Sequence, residues 1–282
     1  MGLFSDMAEF GLSGYENTNV IDKAGSGLQV KSENDAPPEK SQEEKEKEAL
    51  YDRHFTCPVC DLPFTCKFVR AGKAKLHDKD TDLRPIYEDM DPIKYDVITC
   101  DKCGYSALTR YFGKLSTRQM VEIHNQIGDH FNGIENQLDL YTYDDAIARY
   151  KLALLTTVVK KAKNSERAYT SMKLAWVLRG KRMTLEPGDP EIKKVYQEEM
   201  ECISNAYDGY CLAISSESFP IAGMDEYTLQ YVMADMARKL KKYNEAARLL
   251  ANVITAKNVS SRLKDQALTL KELIKQDIKN SK

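Results

Sequence analysis

CPVCDLPF (57–64) is answered further along the chain by CDKCGY (100–105), so four of the seven cysteines fall into two C-x-x-C pairs. Two thiolates two residues apart can bend around one ion at about 2.3 Å, in a turn whose backbone amides face the sulfurs, and two such pairs complete a tetrahedron. The turn needs a residue that accepts positive φ directly after the second Cys. Gly104 supplies it after Cys103, and Asp61 is the next most tolerant choice after Cys60. Cys57, Cys60, Cys100 and Cys103 are therefore the expected ligands of a zinc ion. Four protein thiolates leave no open coordination position, so the ion is expected to be structural. Disulfides are the competing reading. A reducing compartment disfavours them, and a redox C-x-x-C has no need of a second copy.

His54, His77 and Cys66 are close enough in sequence to serve as alternative ligands, but four cysteines already saturate the ion. Cys202 and Cys211 fall on an expected long helix and read as small apolar core residues. After the first pair, Phe64, Phe68 and Val69 alternate with Thr65, Lys67 and Arg70, which suits a strand. After the second, Tyr105 and Tyr111 bracket Ala107 and Leu108. Two knuckles attached to short strands make a zinc ribbon, a module too small to fold without metal. Structural zinc contributes on the order of 10 kcal/mol to such modules.

The 282 residues allow two ordinary domains and a tail. Lys and Arg total 41 against 43 Asp and Glu, a net charge of −2, which gives no overall attraction to nucleic acid or membrane. No apolar run approaches the roughly 18 residues of a membrane span. MGLFSDMAEFGLSGYE (1–16) lacks the cationic start and apolar stretch of a secretory signal, so a cytoplasmic location is expected. Residues 1–56 carry 12 acidic and 6 basic side chains, whereas 57–114 carry 9 and 10. SENDAPPEKSQEEKEKE (32–48) is almost devoid of apolar residues and reads as a flexible linker, with at most a solvated helical turn at 43–48. Before it, Leu3, Phe4, Met7, Phe10 and Leu12 are spaced for a short amphipathic helix, with a frayed terminus as the preferred reading. The expected division is a disordered tail and linker at 1–50, a four-cysteine zinc-ribbon-like module at 51–114 and a helical domain at 115–282.

After residue 115 the pattern is helical, with helices expected near 116–134, 143–160, 165–181, 189–217, 225–241, 244–257 and 260–279. Gly133 and Gly180 are placed as the ends of the first and third, and Asp189-Pro190 as the cap and first turn of the fourth. Tyr143-Asp144-Asp145-Ala146 recurs as Tyr243-Asn244-Glu245-Ala246, and Tyr150-Lys151-Leu152-Ala153 more faintly as Tyr210-Cys211-Leu212-Ala213. Ala146, Ala153, Ala246 and Ala247 would let paired helices approach closely. The pattern resembles a tetratricopeptide-type solenoid: three helix pairs with 260–279 as a final capping helix. An irregular helical bundle is the alternative, because the spacings depart from the family period of about 34 residues. Solenoids present a concave face to peptides or proteins. Trp176, Tyr169, Tyr207, Tyr210, Tyr227 and Tyr231 are the aromatic candidates for it, most of them better read as core.

CPVCDLPF, Asp80-Thr81-Asp82-Leu83 with Tyr87, Asp91-Pro92, Tyr95-Asp96-Val97 and Cys100-Asp101-Lys102-Cys103-Gly104-Tyr105 together resemble a bacterial family catalogued as the domain of unknown function 2225. The resemblance spans roughly residues 50 to 275. Its pattern usually has Pro where Asp101 stands, a departure that leaves the ligands untouched. It implies a bacterial protein with a zinc-ribbon-like four-cysteine module followed by tetratricopeptide-like helices, ending in segments similar to KKYNEAARLL. It implies no reaction.

Asp78, Asp80 and Asp82 alternate like the start of a calcium loop, but Leu83 stands where the sharp turn needs Gly and Asp89 replaces the bidentate Glu, so calcium is not expected. Ion pairing with Arg84 or Lys79 is the preferred role of Asp80 and Asp82. The expected fold is thus α+β, a small zinc-ribbon β module before an all-α helical-repeat domain. The expected function is a non-enzymatic adaptor that binds a protein or peptide on the helical face, with no small-molecule substrate identified and no membrane partner. A nucleic-acid-binding ribbon is the alternative: Lys67, Arg70, Lys73 and Lys75 interleave with Phe64 and Phe68, although Asp78, Asp80 and Asp82 follow at once. A metal-dependent enzyme using Asp80 and Asp82 ranks last, since no nucleophile elbow, phosphate loop or His-rich motif accompanies them.

Overall fold

The computed structural model describes residues 40–280. The amphipathic spacing at 3–12 and the linker up to residue 39 lie outside the described residues. The linker reading extends to residue 48, and there the structure differs, because Gln42–Ala49 forms helix α1. Ser41 and Glu44 make a reciprocal capping box that satisfies its first amides. Glu46, by sequence one more acid in a solvated run, is buried, and Lys94 Nζ (2.6 Å) and Tyr95 OH (2.7 Å) supply its partners.

Three antiparallel strand pairs follow: β1 (Leu50–Thr56) with β2 (Pro63–Val69), β3 (Leu76–Lys79) with β4 (Pro85–Tyr87), and β5 (Val97–Thr99) with β6 (Ser106–Leu108). Isolated two-stranded pairs are marginal in water, so each must be anchored by something else. The first and third carry the C-x-x-C turns at their tips, and the second carries Asp80–Arg84.

The remainder is helical: α2 (Thr117–Gln126), α3 (Tyr143–Val159), α4 (Asn164–Thr184), α5 (Glu191–Ser216), α6 (Glu226–Lys239), α7 (Tyr243–Thr255) and α8 (Ser261–Asn280). The described part is therefore α+β, with strand pairs first and a helical C-terminal part. Helix α5 starts later than the sequence suggests: Pro190 is its N-cap, and Asp189, one residue before, accepts from the Glu191 amide (2.8 Å).

Two expected helix ends are corrected. The helix expected over 116–134 stops at Gln126, after which a 3-10 turn (Gly128–His130) and an irregular segment cross back to the strands. Asn136 there donates to the Thr99 carbonyl (2.8 Å), and buried Arg149 donates to the Glu135 carbonyl and to Asn136. These long-range partners take the backbone out of the helix. Gly180 does not end α4 but sits inside it: a Cβ there would lie 2.5 Å from the Tyr143 ring, so the glycine makes room for a neighbouring helix.

Strand β5 and its partner divide the interior. Ile98 and Ala107 join the cysteines, Phe64, Tyr105, Ile123 and Ile127 in one apolar cluster. Val97 and Leu108, one residue away and so on the opposite face, join the main core built from α3 to α8. A third small cluster sets Tyr95 against Tyr141 below α1. Ala146, Ala153 and Ala246 are fully buried between helices. Of the aromatic candidates, Trp176, Tyr207, Tyr210 and Tyr231 are buried, while Tyr169 and Tyr227 pack against the core from its edge. Among the described residues no helix is long and apolar enough to cross a membrane.

Candidate metal centre

Both cysteine turns use one backbone pattern. The Cys57 amide donates to Leu62 O (3.0 Å) and the Asp61 amide to Cys57 O (2.9 Å); the Cys100 amide donates to Tyr105 O (2.9 Å) and the Gly104 amide to Cys100 O (3.0 Å). The chain can close so tightly because the residue after each second Cys is left-handed, Asp61 at φ 55° and Gly104 at φ 71°. These are the two positions that the sequence marks for that conformation. Gly104 has a second reason to lack a side chain, since a Cβ would lie 2.7 Å from the Phe131 ring.

Cys57, Cys60, Cys100 and Cys103 come together, with one sulfur from each within 4.8 Å of the others. The close pairs run between turns: Cys57 Sγ is 3.5 Å from Cys103 Sγ, and Cys60 Sγ is 3.7 Å from Cys100 Sγ. A disulfide needs about 2.05 Å. Four sulfurs placed about 2.3 Å from a common centre in a tetrahedron are about 3.8 Å apart. The donor set thus fits a metal ion that accepts four thiolates. Cys57, Cys100 and Cys103 are buried and Cys60 is at the rim.

Without a cation the thiols of the cluster do not ionise alike. Donation from Cys103, then from Cys57, holds the Cys100 thiol well below its ordinary value. The Cys57 thiol is pushed up to about 12, first through Cys100, and Cys103 is pushed up as well, again first through Cys100. Sulfurs this close cannot all ionise together unless a cation sits among them.

Cys66, His54 and His77 are not part of the cluster. Cys66 is buried, its thiol donates to Thr99 O (3.4 Å), and burial pushes it up to about 11. His54 Nδ1 meets Thr65 Oγ1 (2.9 Å) on the exposed face of β1, and His77 is exposed on β3. Cys202 is buried in α5, as expected of a small apolar residue. Cys211 is exposed, which corrects its reading as core.

The Asp80–Arg84 turn joining β3 to β4 sits against the helices. The Asp80 amide donates to Arg84 O (2.8 Å) and the Leu83 amide to Asp80 O (2.9 Å), while Leu83 takes φ 65° in the place where a glycine would be easier. The Leu83 side chain packs on the main core, and charges on both sides lock the turn. Asp82 is buried and takes two bonds from Arg179, 3.0 Å to Oδ1 and 2.6 Å to Oδ2, with Lys239 Nζ 2.7 Å from Oδ2. Asp80 pairs with Arg179 (2.9 Å) and Arg84 (3.4 Å), and Thr81 Oγ1 donates to buried Asp235 (3.0 Å), which itself pairs with Lys239 (2.8 Å).

Burial alone would push the Asp82 carboxyl up, but Lys239 and Arg179 outweigh it and hold the group well below the usual carboxylate range. Both Asp82 oxygens are engaged by cations of the protein. This environment favours ion pairing over magnesium binding for Asp80 and Asp82. Arg179, Asp235 and Lys239 are the members that the motif reading missed. Their signal was present as charges inside apolar stretches, LAWVLR (174–179) and VMADMARK (232–239).

The basic and aromatic residues of β2 do not share one open face. Phe64 and Phe68 alternate with Lys67, so they point to opposite sides of the strand pair. Phe64 is buried, and Lys67 is paired with Asp52 (2.9 Å).

The family model described as "Uncharacterized protein conserved in bacteria (DUF2225)" matches residues 50–274. That range takes in both cysteine turns, the acidic turn and nearly all of the helices. No curated protein matches the chain, and no solved structure does.

Proposed function

The chain belongs to the uncharacterised bacterial family DUF2225, and from that premise we propose that it is a non-enzymatic adaptor, held together by structural zinc, that binds a protein or peptide on its helical part. The observation that carries the metal half is the convergence of four sulfurs from two distant turns. Cys57, Cys60, Cys100 and Cys103 would hold the ion. Zinc is the member of the divalent series that suits a closed tetrathiolate set in a structural role. In this reading the two turns with β1–β2 and β5–β6 form a zinc ribbon whose ion performs no chemistry on a substrate.

The binding half is supported by the helical C-terminal part. We read α3 to α8 as degenerate tetratricopeptide-like units, a reading supported by buried Ala146, Ala153 and Ala246 at the helix contacts. The engaged state of Asp82 supports a non-enzymatic role, because a general base or magnesium ligand needs a free lone pair. A cytoplasmic, reducing location accords with thiolate ligands.

The test uses the full chain purified without added metal. Zinc at one equivalent by mass spectrometry of metals, lost together in the Cys57→Ser and Cys103→Ser variants, is the expected result; a wild type that is folded and metal-free would refute it. Cross-linking the full chain in cells and finding no protein bound would sink the adaptor role.

A further inference from the structure

Three clefts line up along the helical part. A cleft of ≈ 470 Å³ opens between the ends of α4, α6 and α8. It shares Asp80 and Thr81 with a neighbour of ≈ 430 Å³ on one side. On the other side it shares Arg182 and Tyr196 with one of ≈ 530 Å³ at the α4–α5 turn. The acidic turn Asp80–Arg84 is thus one wall of a longer groove, and its carboxylates are gripped by Arg179 and Lys239 from the helices. The helices already seat an Asp-Thr-Asp segment of their own chain.

The open part of the groove continues the same chemistry. Each carboxylate lining the ≈ 470 Å³ cleft is paired internally: Asp80 with Arg84 and Arg179, Glu199 with Arg179 and Arg182, Asp277 with Arg238. The cations are not used up. Among the described residues Lys241 has no ion pair, and Arg182 spends Nε and Nη2 on Glu199 while Nη1 makes no hydrogen bond. Arg182 lies 5.5 Å over the Tyr196 ring, and Tyr196 is 48% exposed. An exposed aromatic under one guanidinium with a spare N–H, in a cleft that the unpaired Lys241 also lines, suits a ligand carrying carboxylates next to an apolar side chain.

We infer that the groove beside Tyr196 binds an acidic peptide segment of a partner protein, with carboxylates on Arg182 and Lys241 and an apolar side chain on Tyr196. The inference rests on the adaptor reading and names the chemistry of its partner. Carboxylate is favoured over phosphate because the adjoining seat is already filled by Asp82 in a two-pronged pair with Arg179.

The test is fluorescence anisotropy with the full zinc-loaded chain. The probes are a labelled eight-residue peptide alternating Asp with Leu, its Asn-for-Asp counterpart, and a ten-residue oligouridylate. The Asp peptide is expected to bind about tenfold tighter than the Asn peptide, and to lose about tenfold when Arg182→Gln and Lys241→Asn are combined. Asn is chosen at 241 because the backbone there is left-handed, φ 59°, and circular dichroism checks that the variant folds. Equal binding of the two peptides, an unaffected variant, or oligouridylate binding that the same variant abolishes would each overturn the inference. A protein captured equally by wild type and variant overturns the groove while leaving the adaptor reading intact. Capture of no protein overturns the adaptor reading, and the inference with it.

Discussion

Cys57 Sγ lies 3.5 Å from Cys103 Sγ although the two residues are 46 positions apart. The contact joins the tip of one hairpin to the tip of another, and neither hairpin has enough apolar area to hold itself. Replacing Cys57 or Cys103 by Ser is therefore expected to remove bound zinc and to expose the cluster formed by Phe64, Ile98, Tyr105 and Ile123. Hydrogen exchange should show protection lost in β1–β2 and at Ile98 and Ala107, and kept in α6 to α8, whose buried residues lie in the main core and not in the cysteine cluster. Retained protection at Ile98 in a metal-free variant would refute this.

Gly104 and Asp61 occupy equivalent places in the two turns, and substitution should separate them. Gly104→Ala faces both the left-handed backbone and the Phe131 ring, and should cost at least about 1 kcal/mol. Asp61→Gly relieves a left-handed non-glycine residue on an exposed tip and should be close to neutral, within about 0.5 kcal/mol. Denaturant midpoints of zinc-loaded protein measure both.

Asp82→Asn would leave Arg179 and Lys239 facing a neutral group in a buried site, a loss of about 3 kcal/mol or more. The pH dependence has a definite sign. The carboxyl is depressed in the folded state, so its contribution is complete above the ordinary carboxylate value near about 4 and is lost as pH falls through that value towards the lower folded one. Wild type should lose stability on going from pH 5 to pH 3, and Asp82→Asn should show a shallower slope in thermal melts over that window.

Gly180→Ala pits two effects against each other. Within a helix the change favours the folded state by up to about 1 kcal/mol, but the new Cβ would meet Tyr143 at 2.5 Å. The ring is tied through its hydroxyl to Asp91 (3.0 Å) and cannot simply swing aside. Net destabilisation is expected, and Tyr143→Leu in the same chain should recover part of it. A double-mutant cycle showing no coupling would refute the packing argument.

What the sequence disclosed was what local backbone and short spacing determine. The left-handed residues 61 and 104 and the bodies of α3 to α8 follow from patterns within a few residues. Reasons lying far along the chain stayed hidden. Gly180 looked like a stop because Tyr143, 37 positions earlier, was not known to need its space. Asp82 could be given Arg84 or Lys79 as partner, whereas its true partners, Arg179 and Lys239, are 97 and 157 positions away. Glu46 looked solvated until Lys94 and Tyr95 closed over it. Composition misled most at α1, where one capping box and one buried acid turned a polar run into a helix.

The acidic turn lies between Cys60 and Cys100, two residues 40 positions apart whose sulfurs meet. In the zinc-bound form proposed above, sulfur ligation would tie this stretch into a ring, anchored at one point by the ion and at another by Arg179 and Lys239. Opening the ring by chelation is then expected to loosen the far anchor and to release Arg179 and Lys239 from Asp82, each keeping one internal carboxylate, Glu199 and Asp235. Metal starvation is accordingly expected to tighten binding of an acidic peptide, and anisotropy before and after chelation would register it as a rise in affinity. A fall would mean that the ring contributes to the seat and does not merely fill it.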